Sequence, residues 1–485
     1  MAFPKKCHAG VMCGLLLLGC VARTVAAPAT PEWKAQHDRI VARLRALAGK
    51  ESQFGTAYEP LFRAALPWYE LWGGRNPDPV DPGMVSPEAF ATDLAQSLEQ
   101  GRNYFAEHPS ALFPLVFQKT LPDGRTVGAN YWLTIPAGFP SAGKKFPLVV
   151  GLHGSGWLAH KISFKQVTSP QGPVFSVTPI DMDGPWHIDF LNAFLDELES
   201  ILPIDQDRIY VQGHSLGGMA TWEWALDNPE RFAAISPMAG IGEPYRACRL
   251  KHVPAWVIHG GRDDVVPSGF ADQMVTALEG EGAPVRYSII EGGEHNMPRD
   301  FDSAQVLAWY LKQTRSHLPV PADPRDSLGL GPEGFSPCNE ITREAGPAWK
   351  SESFDALDLT RFRDVSKPLF AKVHERGELA DSPLREELDA STHRATLWLE
   401  LPRLLHHEAA ADPSVVLLPK SRYYRFYFRG ETLKALSHID ALRAALATSG
   451  RAPTGKVWIT SLSIWRETPG AIAEYWIETT PLPHG

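Results

Sequence analysis

A serine set between glycines, Gly213-His214-Ser215-Leu216-Gly217, is followed later in the chain by Asp263 and Asp264 in "IHGGRDDVVP" and by His295 in "EGGEHNMP". A serine hydroxyl attacks carbonyls usefully only when a base takes its proton, and the base works best when a carboxylate holds it. A serine, an acid and a histidine in that chain order can therefore support acyl transfer through a covalent intermediate. The Gly-x-Ser-x-Gly string alone is weak, so its surroundings must decide. "DRIYVQG" reads as a strand running into the string, and "LGGMATWEWALDNP" reads as a helix leaving it. A strand, a tight turn flanked by small residues and a helix is the setting that exposes a strained nucleophile above a helix N-terminus. Ser215 is accordingly the expected nucleophile and His295 the expected base. Asp263 and Asp264 compete for the role of the carboxylate.

The tetrahedral intermediate of such a reaction needs two N–H donors, one from the residue after the nucleophile and one from the loop after an earlier strand. Leu216 supplies the first. "PLVVGLHGSGW" ends a strand at His153-Gly154 and offers the amide of Ser155 as the second, with Gly154 as its rival. His153 reads as a loop residue rather than a second base. Trp157, Trp186 and Trp222 stand near these segments as candidate substrate contacts, although Trp222, on the helix after the serine, equally fits a packed core. This chemistry requires no metal or organic cofactor. The nearest approaches to metal motifs, "HHEAAAD" from His406 and "DMDG" at 181–184, lack a full ligand set.

These residues need elements to hold them. Residues 30–110 read as a helical preface, with Ile40, Leu44 and Leu47 at helical spacing and Ser86-Pro87 opening a second helix. "LFPLVFQKTLPDGRTVGANYWLTIP" reads as a hairpin about a Pro-Asp-Gly turn. Apolar strands alternating with helices follow through residue 315, the pattern of a mostly parallel sheet covered on both faces. Residues 316–337 are rich in Pro and Gly without a period and read as a linker. Beyond them, 338–485 carries aromatic and β-branched runs without regular crossover helices, predicting an all-β, sandwich-like domain with one inserted helix over "ALSHIDALRAALATSG".

The chain has 485 residues, 44% of them hydrophobic, and a formal net charge of −9, which suits a protein of two or three domains and offers no basic footprint for nucleic acid. Its first 29 residues place two lysines before a short apolar run and small residues, the pattern of an export signal. Two endings compete: cleavage near Ala27 to Ala29, giving a soluble product, and the lipobox-like "LLGC", which would acylate Cys20. Periplasmic, extracellular and outer-membrane-anchored destinations all follow from an exported chain. Past this segment only Cys248 and Cys338 remain, and in an oxidising compartment they could form one disulfide.

The motifs "DQDRIYVQGHSLGGMATWEWALDNPERFAAISPMAG", "VVGLHGSG", "IHGGRDDVVP" and "EHN" resemble secreted α/β-hydrolase esterases of the polyhydroxybutyrate-depolymerase-like and feruloyl/acetylxylan esterase group, carbohydrate esterase family one in the broad sense. The likeness spans roughly residues 111–315. It implies an α/β-hydrolase sheet in 111–315, and its His-Gly-x-x-Asp-x-x-Val frame, matched by His259 to Val266, implies Asp263 rather than Asp264. It also implies ester hydrolysis, with acyl groups of plant polysaccharides as the expected substrates. A peptidase or an acyltransferase of the same fold is the alternative. A different alternative is a glycan-binding protein with a vestigial catalytic part, whose stacking residues would be Trp349, Trp398, Trp458, Trp465 and Trp476.

Overall fold

A computed structural model describes residues 31–481, apart from 74–85, 109–110, 137, 155–173, 181–185, 297–302, 357–358, 390–391, 393, 431–434, 449–450 and 463–470. Residues 1–30 with Cys20, and Ser155, Trp157 and Trp465, thus lie outside the described residues. The chain packs as two units, one running to Met238 and resuming over Pro298–His317, the other taking Ala239–Met297 and Leu318 onward.

In the first unit the Pro122-Asp123-Gly124 turn joins β1 (Leu112–Thr120) to β2 (Thr126–Thr134), with Leu112 opposite Thr134. Gly124 takes the positive φ of 85° that the turn requires. The hairpin opens a mixed sheet of order β1-β2-β4-β3-β5-β6. Here β4 (Phe175–Ile180) is antiparallel to β2, and β3 (Phe146–Leu152), β5 (Ile204–His214) and β6 (Ala234–Met238) run parallel to it. Every residue of β3 and of β6 is buried, as expected for strands covered on both faces.

The helical preface forms as the sequence indicates: α1 (Pro31–Leu47), α2 (Gly55–Ala65), α3 (Pro87–Glu99) and the single turn α4 (Tyr104–Glu107). Ser86 caps α3 by accepting the Ala89 N–H at 3.1 Å, with Pro87 in the first turn. Val41, Leu44 and Leu47 form the buried stripe of α1, and α2 lies on β1. The helix α5 (Ile188–Ile201) buries Phe190, Phe194 and Leu198, and α6 (Leu216–Asp227) packs on β3, β5 and β6. The unit closes with α8 (Ser303–Tyr310), whose Tyr310 stacks on Tyr210.

The second unit begins with β7 (Ala255–Gly260), α7 (Gly269–Gly280) and β8 (Val285–Ile290), a crossover that leaves β7 and β8 parallel. The Pro/Gly-rich stretch after Leu318 is irregular, as its composition predicts, yet it is fastened: Asp323 accepts a 2.6 Å hydrogen bond from the fully buried Arg246. The C-terminal part is a wholly antiparallel eight-stranded sheet of order β13-β10-β12-β11-β15-β16-β14-β9. Its strands are β9 (Asn339–Arg343), β10 (Gly346–Asp355), β11 (Arg385–Asp389), β12 (Arg394–Glu400), β13 (Val416–Leu418), β14 (Ser421–Arg429), β15 (Arg451–Ser461) and β16 (Ile472–Pro481). The period-2 pattern sends Trp349, Leu397, Phe426, Ile459 and Tyr475 to one core, closed by Phe370 and Val373 of α9 (Leu359–His374) and Ile439 of α10 (Leu436–Thr448). The opposite face carries Trp398, Tyr423, Trp458 and Trp476. The inserted helix α10 was expected. Nothing in the sequence reading anticipated α9, because Pro368 and many charges interrupt its apolar stripe.

One expectation is corrected. Cys248 and Cys338 are both free thiols. Cys248 sits in the turn Pro244–Leu250 with its Sγ 3.9 Å from the Ala322 carbonyl, whereas Cys338 packs against the C-terminal core. Each has separate surroundings, and burial pushes both thiols up from their ordinary pKa. Among the described residues no helix is long and apolar enough to cross a membrane.

Candidate active site

Ser215 follows the last residue of β5 and precedes the first residue of α6, with φ 56° and ψ −117°. Among the described residues it is one of two non-glycine positions at positive φ, the other being Ala239. Such a backbone costs about 1–3 kcal/mol and persists only when the surroundings enforce it. Here they do so by close packing. A Cβ on Gly217 would lie 2.0 Å from the Leu152 carbonyl oxygen, and one on Gly213 would lie 2.2 Å from the Gly217 oxygen. The two glycines let β5 turn into α6 at a radius that no larger residue allows. Backbone bonds hold the turn on both sides, from Ser215 N–H to the Met238 carbonyl and from Met219 N–H to the Ser215 carbonyl, each 2.9 Å.

The Leu216 amide lies in the first turn of α6, where helical N–H groups have no intrahelical acceptor. Gly154 lies beside the serine, since a Cβ on it would stand 3.4 Å from the Ser215 Cβ. Ser155, the expected second donor, lies outside the described residues. The buried His153 places Nδ1 2.6 Å from the Gly154 carbonyl, and Trp186 donates its indole N–H to the His153 carbonyl at 3.2 Å. Both support the loop that follows β3. Trp186 is therefore a buried prop at 2% exposure rather than an open platform. Trp222 is a correction: it is fully buried within the core on α6 and presents no surface to a substrate. The segment around Trp157 is outside the described residues.

Asp263 and His295 belong to the second unit, on the loops after β7 and β8. His295 Nδ1 lies 2.8 Å from Asp263 Oδ2 and 3.0 Å from Oδ1. That contact places the imidazole proton on Nδ1 and leaves Nε2 as the basic nitrogen. Asp263 Oδ1 also accepts the amides of Val265 at 2.9 Å and Val266 at 2.8 Å. Its side chain is completely buried, which by itself raises a carboxyl pKa, but hydrogen bonds with His259 and His295 outweigh burial and hold it well below the usual carboxylate range. Asp264 is exposed and takes no part in this network. The loops are stitched by the Gly261 N–H to the Ile290 carbonyl at 3.0 Å and the Arg262 N–H to the Gly293 carbonyl at 2.8 Å. A Cβ on Gly260 would stand 2.5 Å from the Gly293 oxygen, so glycine permits this approach.

Sequence reasoning passed over His259, which is fully buried with Nε2 2.9 Å from the Val266 carbonyl and 3.4 Å from Asp263 Oδ2. The signal was its place at the head of the His-Gly-x-x-Asp frame.

A family model described as alpha/beta hydrolase fold matches residues 157–276, a stretch that holds β4, the Ser215 turn, β6, β7 and Asp263. The chain carries an α/β-hydrolase domain. The hydrolase domain is similar to a putative esterase, NocK, of Nocardia uniformis, 25% identical over 209 residues. It is also similar to a probable feruloyl esterase C of Aspergillus terreus, 24% identical over 225 residues. The matches cover 39% and 37% of this chain, and 58% and 82% of those relatives. A bifunctional acetylxylan esterase/xylanase of Neocallimastix patriciarum matches at 27% identity over 25% of this chain and 20% of its own length. The chain thus spans little more than half of the Nocardia relative.

Proposed function

We propose that the protein is an exported carboxylic-ester hydrolase that forms an acyl-enzyme on Ser215, with Asp263 and His295 completing the triad and acetyl or feruloyl esters of plant polysaccharides as its substrates. The observation that carries this reading is the strained Ser215 turn between β5 and α6, followed in chain order by a hydrogen-bonded Asp263–His295 pair. The relatives named as feruloyl and acetylxylan esterases support the substrate class, and the leader-like first 29 residues support export.

In this mechanism the Ser215 Oγ bonds to the ester carbon as its proton passes to His295 Nε2, and the carbonyl π pair moves onto oxygen. The resulting oxyanion accepts hydrogen bonds from the Leu216 and Ser155 amides. Asp263 stays ionised and stabilises the imidazolium. Collapse of the intermediate breaks the bond to the alcohol, which leaves with the proton carried by His295. Water then gives a proton to His295 and attacks the acyl carbon, and Ser215 departs with that proton as the acid is released. Each proton returns to its origin over one turnover.

The test compares the purified protein with its Ser215→Ala variant on para-nitrophenyl acetate, methyl ferulate, acetylated xylan and a peptide amide. Ester hydrolysis that falls by about 10³-fold or more in the variant is the expected result. Unchanged ester turnover in Ser215→Ala would defeat the proposal, and preferential cleavage of the amide would make the protein a peptidase instead.

A further inference from the structure

The two faces of the C-terminal sheet treat tryptophan differently. On the core face Trp349 donates its indole N–H to Asp412 at 3.2 Å, just as Trp224 and Trp256 in the hydrolase domain give theirs to Asn192 and Ser288. On the other face Trp398, Trp458 and Trp476 are 8%, 4% and 9% exposed, and their indole nitrogens are buried without a hydrogen-bond partner among the described residues. The strand register sets them side by side, Trp458 opposite Trp476 and Trp398 opposite Arg385. Trp465 is outside the described residues.

Guanidinium groups lie over these rings. Arg385 sits 3.9 Å from the Trp476 ring centre, and Arg343 sits 5.2 Å from that of Trp458. Both arginines are half-buried, and in each the Nε and Nη1 nitrogens are buried without an acceptor among the described residues. Arg385 has no carboxylate within ion-pair reach among the described residues, although burial pulls its guanidinium down from its ordinary pKa. A buried donor left unmade costs about 1–3 kcal/mol. Buried indole nitrogens without a partner among the described residues also occur singly at Trp68 and Trp222, but here three indole and four guanidinium nitrogens gather on one sheet face, where acceptors from outside the chain would satisfy them.

The chemistry of the face narrows what it receives. Because cations already lie over the rings, it offers no open aromatic platform for a neutral sugar. What it offers is planar, partly desolvated guanidinium, the group suited to bidentate carboxylate. Carboxylates of its own, Glu400 opposite Ala348 and Glu474 hydrogen-bonded by the Tyr427 hydroxyl at 3.2 Å, share the face and accept hydroxyl protons. A ring bearing both a carboxylate and several hydroxyl groups meets the guanidinium donors and brings further hydroxyl donors to Glu400 and to Glu474, which Tyr427 and Arg425 already hold, whereas an aromatic acid brings fewer hydroxyls to that side. We propose that this face of the C-terminal sheet binds the hexuronate units of an acidic glycan, with Arg385 receiving the carboxylate. Binding at this face does not rest on the esterase reading.

The experiment uses the full-length Ser215→Ala protein, so that no turnover intervenes, with tri-galacturonate, cellotriose, ferulate and acetate as probes in calorimetric titrations and tryptophan fluorescence. Tri-galacturonate binding with a change in indole emission, weakened about tenfold or more by Arg385→Gln, is the expected result. Arg343→Gln, checked like the first variant by circular dichroism, provides a second reading should Arg385→Gln fail to fold. Absence of tri-galacturonate binding, equal or tighter binding of cellotriose, ferulate or acetate, or affinity unchanged in the folded arginine variants would each overturn it.

Discussion

His259 Nε2 lies 3.4 Å from Asp263 Oδ2 and 2.9 Å from the Val266 carbonyl, so the histidine that heads the motif pins both ends of the loop that carries Asp263. It is fully buried and works through Asp263 rather than on a substrate. His259→Phe keeps the volume but removes both polar contacts, and the expected result is a kcat reduced by about tenfold with KM little changed. Asp263→Asn, which leaves His295 facing an amide, is expected to lower kcat by about 10³-fold or more. Steady-state kinetics on one ester check both. A His259→Phe enzyme with unaltered kcat would reduce this residue to packing.

The Ser215 turn makes a sharper demand on its glycines. A methyl group at Gly217 would meet backbone oxygen 2.0 Å away, with no flexible side chain to give way. Gly217→Ala should therefore destabilise the protein by at least about 3 kcal/mol, beyond the ~1 kcal/mol of a typical substitution. Chemical denaturation of the variant beside Gly280→Ala, where a Cβ meets nothing within 4 Å, measures the difference. Equal midpoints for the two variants would show that the turn relaxes.

Much of this architecture was legible because its signals are local. The Pro122-Asp123-Gly124 turn, the unbroken apolar runs of β3 and β6, and the strand-turn-helix about Ser215 each arise within a dozen residues. The His-Gly-x-x-Asp-x-x-Val frame pointed to Asp263 over Asp264 locally, but the burial that separates them, with the Val265 and Val266 amides curling back onto one carboxylate, was not legible in it. Nor could spacing show that Trp222 faces the core, since α6 is buried nearly all round and has no polar side to orient it. The disulfide reading failed for the same reason, because the sequence does not say what packs beside Cys248 or Cys338. In the C-terminal sheet the alternation was plain, but which face α9 and α10 would cover was not, and that choice separates Trp349 from Trp398, Trp458 and Trp476.

Asp323 supplies a pH-dependent test in the stretch that composition marks as a linker. Burial favours its neutral form, but hydrogen bonds from Arg325 and Arg246 outweigh that and hold its pKa at about 2. A carboxyl whose folded pKa lies below its unfolded value, about 3.9, contributes stability that is fully present above the unfolded value and lost as pH falls through the folded one. Asp323→Asn removes this contribution, of about 1–2 kcal/mol, and leaves the fully buried Arg246 paired with Glu243 at 2.9 Å. The stability gap between wild type and variant, read from urea denaturation, should be constant above about pH 5 and should narrow below about pH 4. A gap independent of pH from 6 to 3, on the order of three units around that unfolded value, would mean that the Asp323 charge does not hold this segment in place.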